Sequence, residues 1–361
     1  MKNKICVVSS SRADYSLLKG LIIKLNSSEF FDFQLIVTGS HLSKKHGYTI
    51  NDIVKDDIQI DKQIQIITKT DKKEDIGYSV SSTIKKMIHA FSCLKPNMVL
   101  LLGDRYEIFS TAIASAFLKI PIAHIHGGEI TEGAIDDMIR HSITKLSHIH
   151  FVSNVIYKNR IIQMGEQPKN VYNVGALGVE NLKKVKLMSL NSLEKELDFK
   201  FKKQNILVTY HPVSLDDNPI YGADVLLQVL SKFKSVGMIF TYSNADISGT
   251  KIIKKILEFE KYNSNIKVFS NLGQLKYLSC LKYCNGVVGN SSSGIIEAPS
   301  LKTWTINIGD RQKGRIRAGS IFDVKIDKKE IKETLNKLLN NSINFEKIDF
   351  KNPYSKKNTT N

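Results

Sequence analysis

The chain has 361 residues, 42% hydrophobic and 24% charged, which is material for about two ordinary domains and excludes a small disulfide scaffold or a mainly disordered chain. Its 52 Lys and Arg against 35 Asp and Glu give +17, yet only seven of the 52 are arginine and the lysines are scattered; with no RRM, KH, zinc-finger or helix-turn-helix pattern, this is a solvated surface and no nucleic-acid partner is expected. No apolar run nears the roughly 18 residues of a membrane helix and no signal peptide opens the chain, so no membrane partner is expected and the cytoplasm is, with Cys6, Cys93, Cys280 and Cys284 as reduced thiols.

In chain order, short apolar runs alternate with helix-length segments. Strands are predicted at residues 4–9, 33–38, 97–102, 121–125, 149–152 and 171–174. Runs of four to seven residues without polar alternation are buried on both faces, as a parallel sheet with crossover helices requires. After a lysine-rich stretch the pattern restarts, with strands at 205–210, 238–242, 266–269, 286–288 and 303–308. The fold class is therefore α/β, with two Rossmann-like doubly wound domains. The expected boundaries are 1–181, a linker at 182–203, a second domain at 204–345 and a tail at 346–361 that frays from Asn352.

In open α/β sheets ligands bind beyond the carboxyl ends of the strands, and the chemistry-bearing residues fall there. The first strand runs into Ser9-Ser10-Ser11-Arg12-Ala13-Asp14-Tyr15-Ser16. Helix N-terminal amides plus a guanidinium suit a phosphate; the bland reading is an ordinary cap with Arg12 paired to Asp14. The turn is not a GxGxxG, so a standard dinucleotide site is not expected. Next comes Gly103-Asp104-Arg105-Tyr106-Glu107, where Asp104 is a candidate acid or base, or else a helix cap.

Then follows His124-Ile125-His126-Gly127-Gly128-Glu129, whose two histidines should point the same way along a strand while the glycines admit a ligand. A metal is not expected, because this cluster reads better as proton donors and acceptors. A second pair, His148 and His150, reads as core histidines. The helix from Asp136 should bury Ile135, Ile139, Ile143 and Leu146, leaving Asp137, His141 and Thr144 on a polar face and Asp136 with Arg140 as an i,i+4 support pair.

In the second half His211-Pro212 and Ser243-Asn244 end strands, and Gly289-Asn290-Ser291-Ser292-Ser293-Gly294-Ile295-Ile296-Glu297 reads as strand, hydroxyl-rich turn and helix. Amides and hydroxyls there would cradle a diphosphate, and Glu297 could accept from ribose hydroxyls; a serine cap cluster is the plainer alternative. Arg311, Lys313, Arg315 and Arg317 cluster after the last predicted strand, as if to meet phosphate.

Taken together, Ser10 to Tyr15, the Gly103-Asp104-Arg105-Tyr106-Glu107-Ile108 turn, His124 to Glu129, Ile139-Arg140-His141-Ser142-Ile143-Thr144-Lys145, Gly289 to Glu297 and Ile306-Asn307-Ile308-Gly309-Asp310-Arg311-Gln312-Lys313-Gly314-Arg315 resemble the bacterial hydrolysing UDP-N-acetylglucosamine 2-epimerases of sialic acid synthesis, across nearly the whole chain. The resemblance implies a GT-B arrangement of two Rossmann-like domains facing across a cleft, with the nucleotide held mainly by the second. It implies that UDP-N-acetylglucosamine loses UDP by elimination across C1 and C2, and that water adds to the glycal to give N-acetylmannosamine. No hydride moves, so no cofactor is needed. Relatives of this kind are homo-oligomers, dimers or tetramers.

Residue by residue, the resemblance assigns acid and base work to Asp104 and Asp136, diphosphate contacts to Arg12 and His211, and nucleotide contacts to Ser291, Ser292 and Glu297; Ser16, Asn244, Asn290 and Arg311 fall in the same turns. Animal and non-hydrolysing relatives carry glutamate where this chain has His126, so the C2 base is either His126 or Glu129. The C2 proton is not beside a carbonyl, so departure of the diphosphate must build charge before a base can take it, which explains the cationic and hydroxyl groups. One alternative keeps this chemistry on UDP-N,N'-diacetylbacillosamine, towards legionaminic acid. Others are a GT-B glycosyltransferase and a non-catalytic nucleotide-sugar sensor, but the acid and base groups exceed what those need.

Overall fold

The computed structural model describes residues 2–43, 48–66, 73–213, 218–243, 248–340 and 345–356. The chain forms two compact units, the first from residues 1–129, 135–181 and 356–361, the second from 130–134 and 182–355.

The first unit runs β1 (Asn3–Ser9), α1 (Arg12–Asn26), β2 (Phe31–Thr38), α2 (Ile50–Lys55), β3 (Lys62–Ile64), α3 (Lys73–Leu94), β4 (Met98–Leu102), α4 (Tyr106–Phe117), β5 (Ile122–Ile125), α5 (Asp136–Leu146), β6 (Ile149–Val152), α6 (Val155–Gln163), β7 (Val171–Asn173) and α7 (Leu177–Lys184). Its seven parallel strands take the order β3-β2-β1-β4-β5-β6-β7. Alternate residues of β1 serve opposite faces. Ile5 and Val7 join Leu18 and Ile22 of α1 and Ile53 of α2, whereas Cys6 and Val8 join Phe91 of α3, Ile108 of α4 and Ile143 of α5. A strand buried on both sides must be apolar at every position, which is why the sequence shows no alternation there.

The second unit holds α8 (Leu190–Leu197), β8 (Asn205–Thr209), α9 (Tyr221–Leu230), β9 (Gly237–Thr241), α10 (Gly249–Lys261), β10 (Ile266–Phe269), α11 (Gly273–Tyr283), β11 (Gly286–Gly289), α12 (Ser293–Ile296), β12 (Trp304–Ile308), β13 (Ile321–Val324) and α13 (Lys328–Leu339). Its six parallel strands are ordered β10-β9-β8-β11-β12-β13. Gly289 ends β11 at φ +140, where a Cβ would stand 1.9 Å from the Thr209 carbonyl oxygen, so only glycine lets β11 lie this close to β8.

In both sheets the strand order reverses beside the first strand of the unit, at β1/β4 and at β8/β11. A doubly wound sheet opens its ligand crevice at such a switch point. The two-Rossmann fold class expected from the sequence is the one found.

Three sequence expectations need correction. Residues 182–203 are not a bare linker: α8 lies in them, and Leu193 and Leu197 are buried in the second unit's core. The tail does not fray at Asn352, because its side-chain amide donates to the Ile296 carbonyl at 2.8 Å and Tyr354 is fully buried, its hydroxyl donating to the Ile316 carbonyl at 2.9 Å. Strands β3 and β13 were not predicted; β3 is three residues long and β13 carries Asp323 amid its apolar positions.

Candidate functional site

In the first unit the turn after β1 is built by side chains. Ser11 caps α1, its Oγ accepting from the Asp14 amide at 3.2 Å. Asp14 in turn accepts from the Ser10 hydroxyl at 2.6 Å and the Ser10 amide at 3.2 Å, so Ser10 rather than Arg12 holds it. Burial pushes the Asp14 carboxyl above its usual range, the Arg105 guanidinium opposing it. Arg105 forks onto Glu107 at 3.2 and 3.3 Å, and burial raises Glu107 in the same way. Arg12 stands half-buried in the first turn of α1, and Ser16 follows one turn on, its carbonyl taken by the Asn181 amide at 2.9 Å.

Asp104 follows β4, the strand beside β1 at the switch point. It is not a helix cap, since Arg105 occupies the cap position of α4. Its Oδ2 accepts instead from Arg140 of α5, from Nε at 2.9 Å and from Nη2. Arg140 also donates through Nη1 to the Glu129 carbonyl at 2.7 Å and to Asp137 at 3.3 Å. Arg140, expected on an exposed face beside Asp136, is 1% exposed and reaches Asp104, the Glu129 carbonyl and Asp137. The stripe along α5 also shifts: Ile135 is 48% exposed, while Arg140, Ile143 and Thr144 are buried. Asp136 opens the helix, partly exposed.

The histidine turn differs most from expectation. His124 and His126 do not point the same way, because β5 ends at Ile125 and His126 adopts the left-handed φ of +66. His124 is fully buried with Nε2 2.8 Å from the Gly103 carbonyl, which makes Nε2–H the donor. Burial lowers His124 to about 4, so it is neutral at ordinary pH. His126 lies with Nδ1 3.0 Å from Glu129 Oε1 and with Nε2 3.5 Å from the Leu177 amide, an arrangement that assigns the proton to Nδ1 and the lone pair to Nε2.

Glu129 is 1% exposed and also accepts from the Ser153 hydroxyl at 2.7 Å. The glycines between them meet protein instead of admitting a ligand: a Cβ on Gly127 would lie 3.0 Å from His124 Nδ1, and one on Gly128, at φ +76, 2.7 Å from the Tyr157 carbonyl. His150 is a core histidine, buried against Glu166 at 3.3 Å, whereas His148 is exposed, contrary to expectation, and accepts from the Ile122 amide at 3.3 Å. Among the described residues no three His, Cys, Asp or Glu side chains are grouped to hold a metal ion.

In the second unit the turns after β8 and β11 are tied together by Asn290. Its Oδ1 accepts from the His211 amide at 2.7 Å and its Nδ2 donates to the His211 carbonyl at 2.8 Å. Its own carbonyl accepts from Gln312 Nε2 at 3.0 Å and Arg311 Nη1 at 3.4 Å. Asn290, His211 and Arg311, read from three distant stretches of sequence, thus converge at the switch point, with Asn290 fully buried as the joint between them.

Ser291 and Ser292 are half-exposed, and Ser292 occupies the cap position of α12 without a side-chain cap bond. Tyr277 of α11 stands beside Ser291, Ser293 and Glu297, and burial pushes its hydroxyl well up. Tyr277 and Ser153 escaped sequence reasoning because they sit mid-helix or after a plain strand with no motif around them, and Gln312 was named only as part of the motif that carries Arg311. Asn244 lies outside the described residues.

The segment 130–134 packs on the loop that carries Arg311. The Glu132 amide donates to the Lys313 carbonyl at 3.1 Å, its carboxylate meets Lys313 Nζ at 2.8 Å, and a Cβ on Gly133 would lie 2.7 Å from the Asp310 carbonyl oxygen.

The sequence matches the family described as UDP-N-acetylglucosamine 2-epimerase over residues 23–361. It is 44% identical over 329 residues to the Campylobacter jejuni GDP/UDP-N,N'-diacetylbacillosamine 2-epimerase (hydrolyzing), covering 90% of this chain and 85% of that one. It is 39% identical to the Escherichia coli polysialic acid biosynthesis protein P7, covering 98% and 91%. Among solved structures, the Neisseria meningitidis UDP-GlcNAc 2-epimerase bound to UDP-GlcNAc superposes with a TM-score of 0.83 at 18% identity, over 99% of this chain and 97% of that one.

Proposed function

The chain belongs to the UDP-N-acetylglucosamine 2-epimerase family, in its hydrolysing subgroup, and from that premise we propose that this nucleotide-sugar 2-epimerase acts on UDP-N,N'-diacetylbacillosamine. The 44% identity to a relative of that name over 90% of the chain supports this sugar ahead of UDP-N-acetylglucosamine, the one the motifs first suggested. UDP-N-acetylglucosamine remains the second reading, on the 30% identity to a Neisseria meningitidis UDP-N-acetylglucosamine 2-epimerase over 92% of the chain.

The chemistry is an elimination followed by a hydration. A base takes the C2 proton as the C1–O bond to UDP breaks, leaving a glycal; water then adds its oxygen to C1 while a proton returns to C2 from the opposite face. The products are UDP and the free manno-configured sugar. The observation that carries the assignment is the hold of Glu129 on His126. Glu129 receives Nδ1–H and the Ser153 hydroxyl, so it acts on the imidazole, and His126 is the C2 base through Nε2, whose lone pair the long 3.5 Å contact of the Leu177 amide engages only weakly. Of the two candidates, Glu129 is then the orienting group. Asp104 and Asp136 supply the acid of the hydration step and the base for water.

For the leaving group, Arg12 and His211 contact the diphosphate, while Ser291, Ser292, Glu297 and Arg311 hold the nucleotide. Asn290 acts as the joint between His211 and the Arg311 loop instead of as a direct contact. The test is proton NMR in deuterated water with each UDP-sugar in separate tubes. Free UDP with a product deuterated at C2 supports the hydrolysing epimerase, and the faster tube names the sugar. UDP binding without turnover of either sugar would leave a transferase or a sensor.

A further inference from the structure

A guanidinium that is 1% exposed on a helix needs a reason, because burying a charge costs several kcal/mol unless partners compensate it. The partners of Arg140 are the reason. Nε and Nη2 both close on a single oxygen, Asp104 Oδ2, and Nη1 reaches the Glu129 carbonyl and Asp137. Two donors on one oxygen hold that oxygen in place more firmly than one donor would. The third nitrogen ties the same rigid plane to the backbone of the residue that orients His126. We propose that Arg140 is a positioning residue, which sets Asp104 and the Glu129 turn in register for the proton transfers.

The proposal rests on the functional reading above and adds to it a residue that touches neither sugar nor nucleotide. Lysine cannot replace it. An ammonium carries the same charge but a single nitrogen, so it reaches the Asp104 oxygen or the Glu129 carbonyl but cannot hold both with a fork. Arg140→Lys therefore separates position from charge.

The experiment measures steady-state release of UDP by wild type, Arg140→Lys, Asp104→Asn and the double variant, with UDP affinity by calorimetry and thermal melts alongside. Misplacing a reacting group by an ångström lowers turnover by about 100-fold. Arg140→Lys is expected to lower kcat by that order while KM and UDP affinity stay within about 2-fold, because the nucleotide contacts are elsewhere. In the Asp104→Asn background the same change is expected to lower the residual kcat by less than about 3-fold, since residues acting through one another are not additive.

A kcat for Arg140→Lys within about 3-fold of wild type, an equal loss in both backgrounds, or a parallel loss of UDP affinity overturns the proposal. If Arg140→Lys does not fold, Arg140→Gln is read in the same way, and failure of both to fold beside an active wild type leaves Arg140 a purely structural residue. A wild type that turns over neither sugar overturns the functional reading and this inference with it, whereas an active wild type with an unaffected Arg140→Lys overturns this inference alone.

Discussion

Asp104 and His126 carry the proton transfers of the proposed reaction, and neither owes its setting to its own sequence neighbours alone. Asp104→Asn keeps the shape but removes the charge, and turnover is expected to fall at least about 100-fold with the melting temperature within a few degrees; full activity would remove Asp104 from the mechanism. Ser292→Ala combined with Glu297→Ala is expected to weaken UDP binding about 10-fold or more by calorimetry, and unchanged affinity would sink the nucleotide assignment. Much of this was legible in sequence, because Asp104, His126, His211 and Asn290 all follow apolar runs that could only be buried strands. The partners were not legible. Arg140 reads as half of a surface helix pair with Asp136 and proves buried on Asp104, and no local pattern distinguishes those two fates. Tyr277 sits beside Ser291 only because α11 packs there, a fact of tertiary structure.

At the scale of elements, the central strands were visible because burial on both faces forces unbroken apolar runs, and the edge strands β7 and β10 were read with them, while β3 and β13 were not, since β3 is three residues with two exposed and β13 is interrupted by the exposed Asp323. The same reasoning explains why lysine-rich residues 182–203 looked like a linker: α8 shows the core only Leu193 and Leu197 and turns Asn191, Ser192, Lys195 and Glu196 outward. Leu193→Ala should therefore cost about 2–5 kcal/mol in urea unfolding, as a core truncation does, where a linker residue would cost almost nothing. Tyr354→Ala is expected to cost about 3–5 kcal/mol, because a fully buried ring leaves a cavity and the Ile316 carbonyl loses its donor. A melt indistinguishable from wild type would return the tail to the frayed state its composition suggests.

For the whole molecule, acid should act through the first unit. Burial lowers His41 and His124 to about 4 from an ordinary 6.5. Above pH 6.5 both imidazoles are neutral in either state and their contribution is complete. As pH falls from 6.5 towards 4 the unfolded chain binds protons that the folded one does not, so stability declines by up to about 3 kcal/mol for each. Asp14 and Glu107 have the opposite sign, since burial raises their carboxyls and the folded state protonates first. Urea midpoints measured across this range should fall further in wild type than in His124→Gln, and an equal change in both would mean that His124 is not buried as a neutral group. The two units also share the chain in an unusual order, since residues 130–134 belong to the second while their flanks on both sides belong to the first, and the chain returns to the first at residue 356. A single cut in the gene therefore yields neither unit whole: a fragment ending at 181 carries five residues without the Asp310–Gly314 loop they pack on, and its complement lacks them. The two halves are separable on a contact map but not as reading frames, so swapping either one between relatives means splicing at four points instead of one.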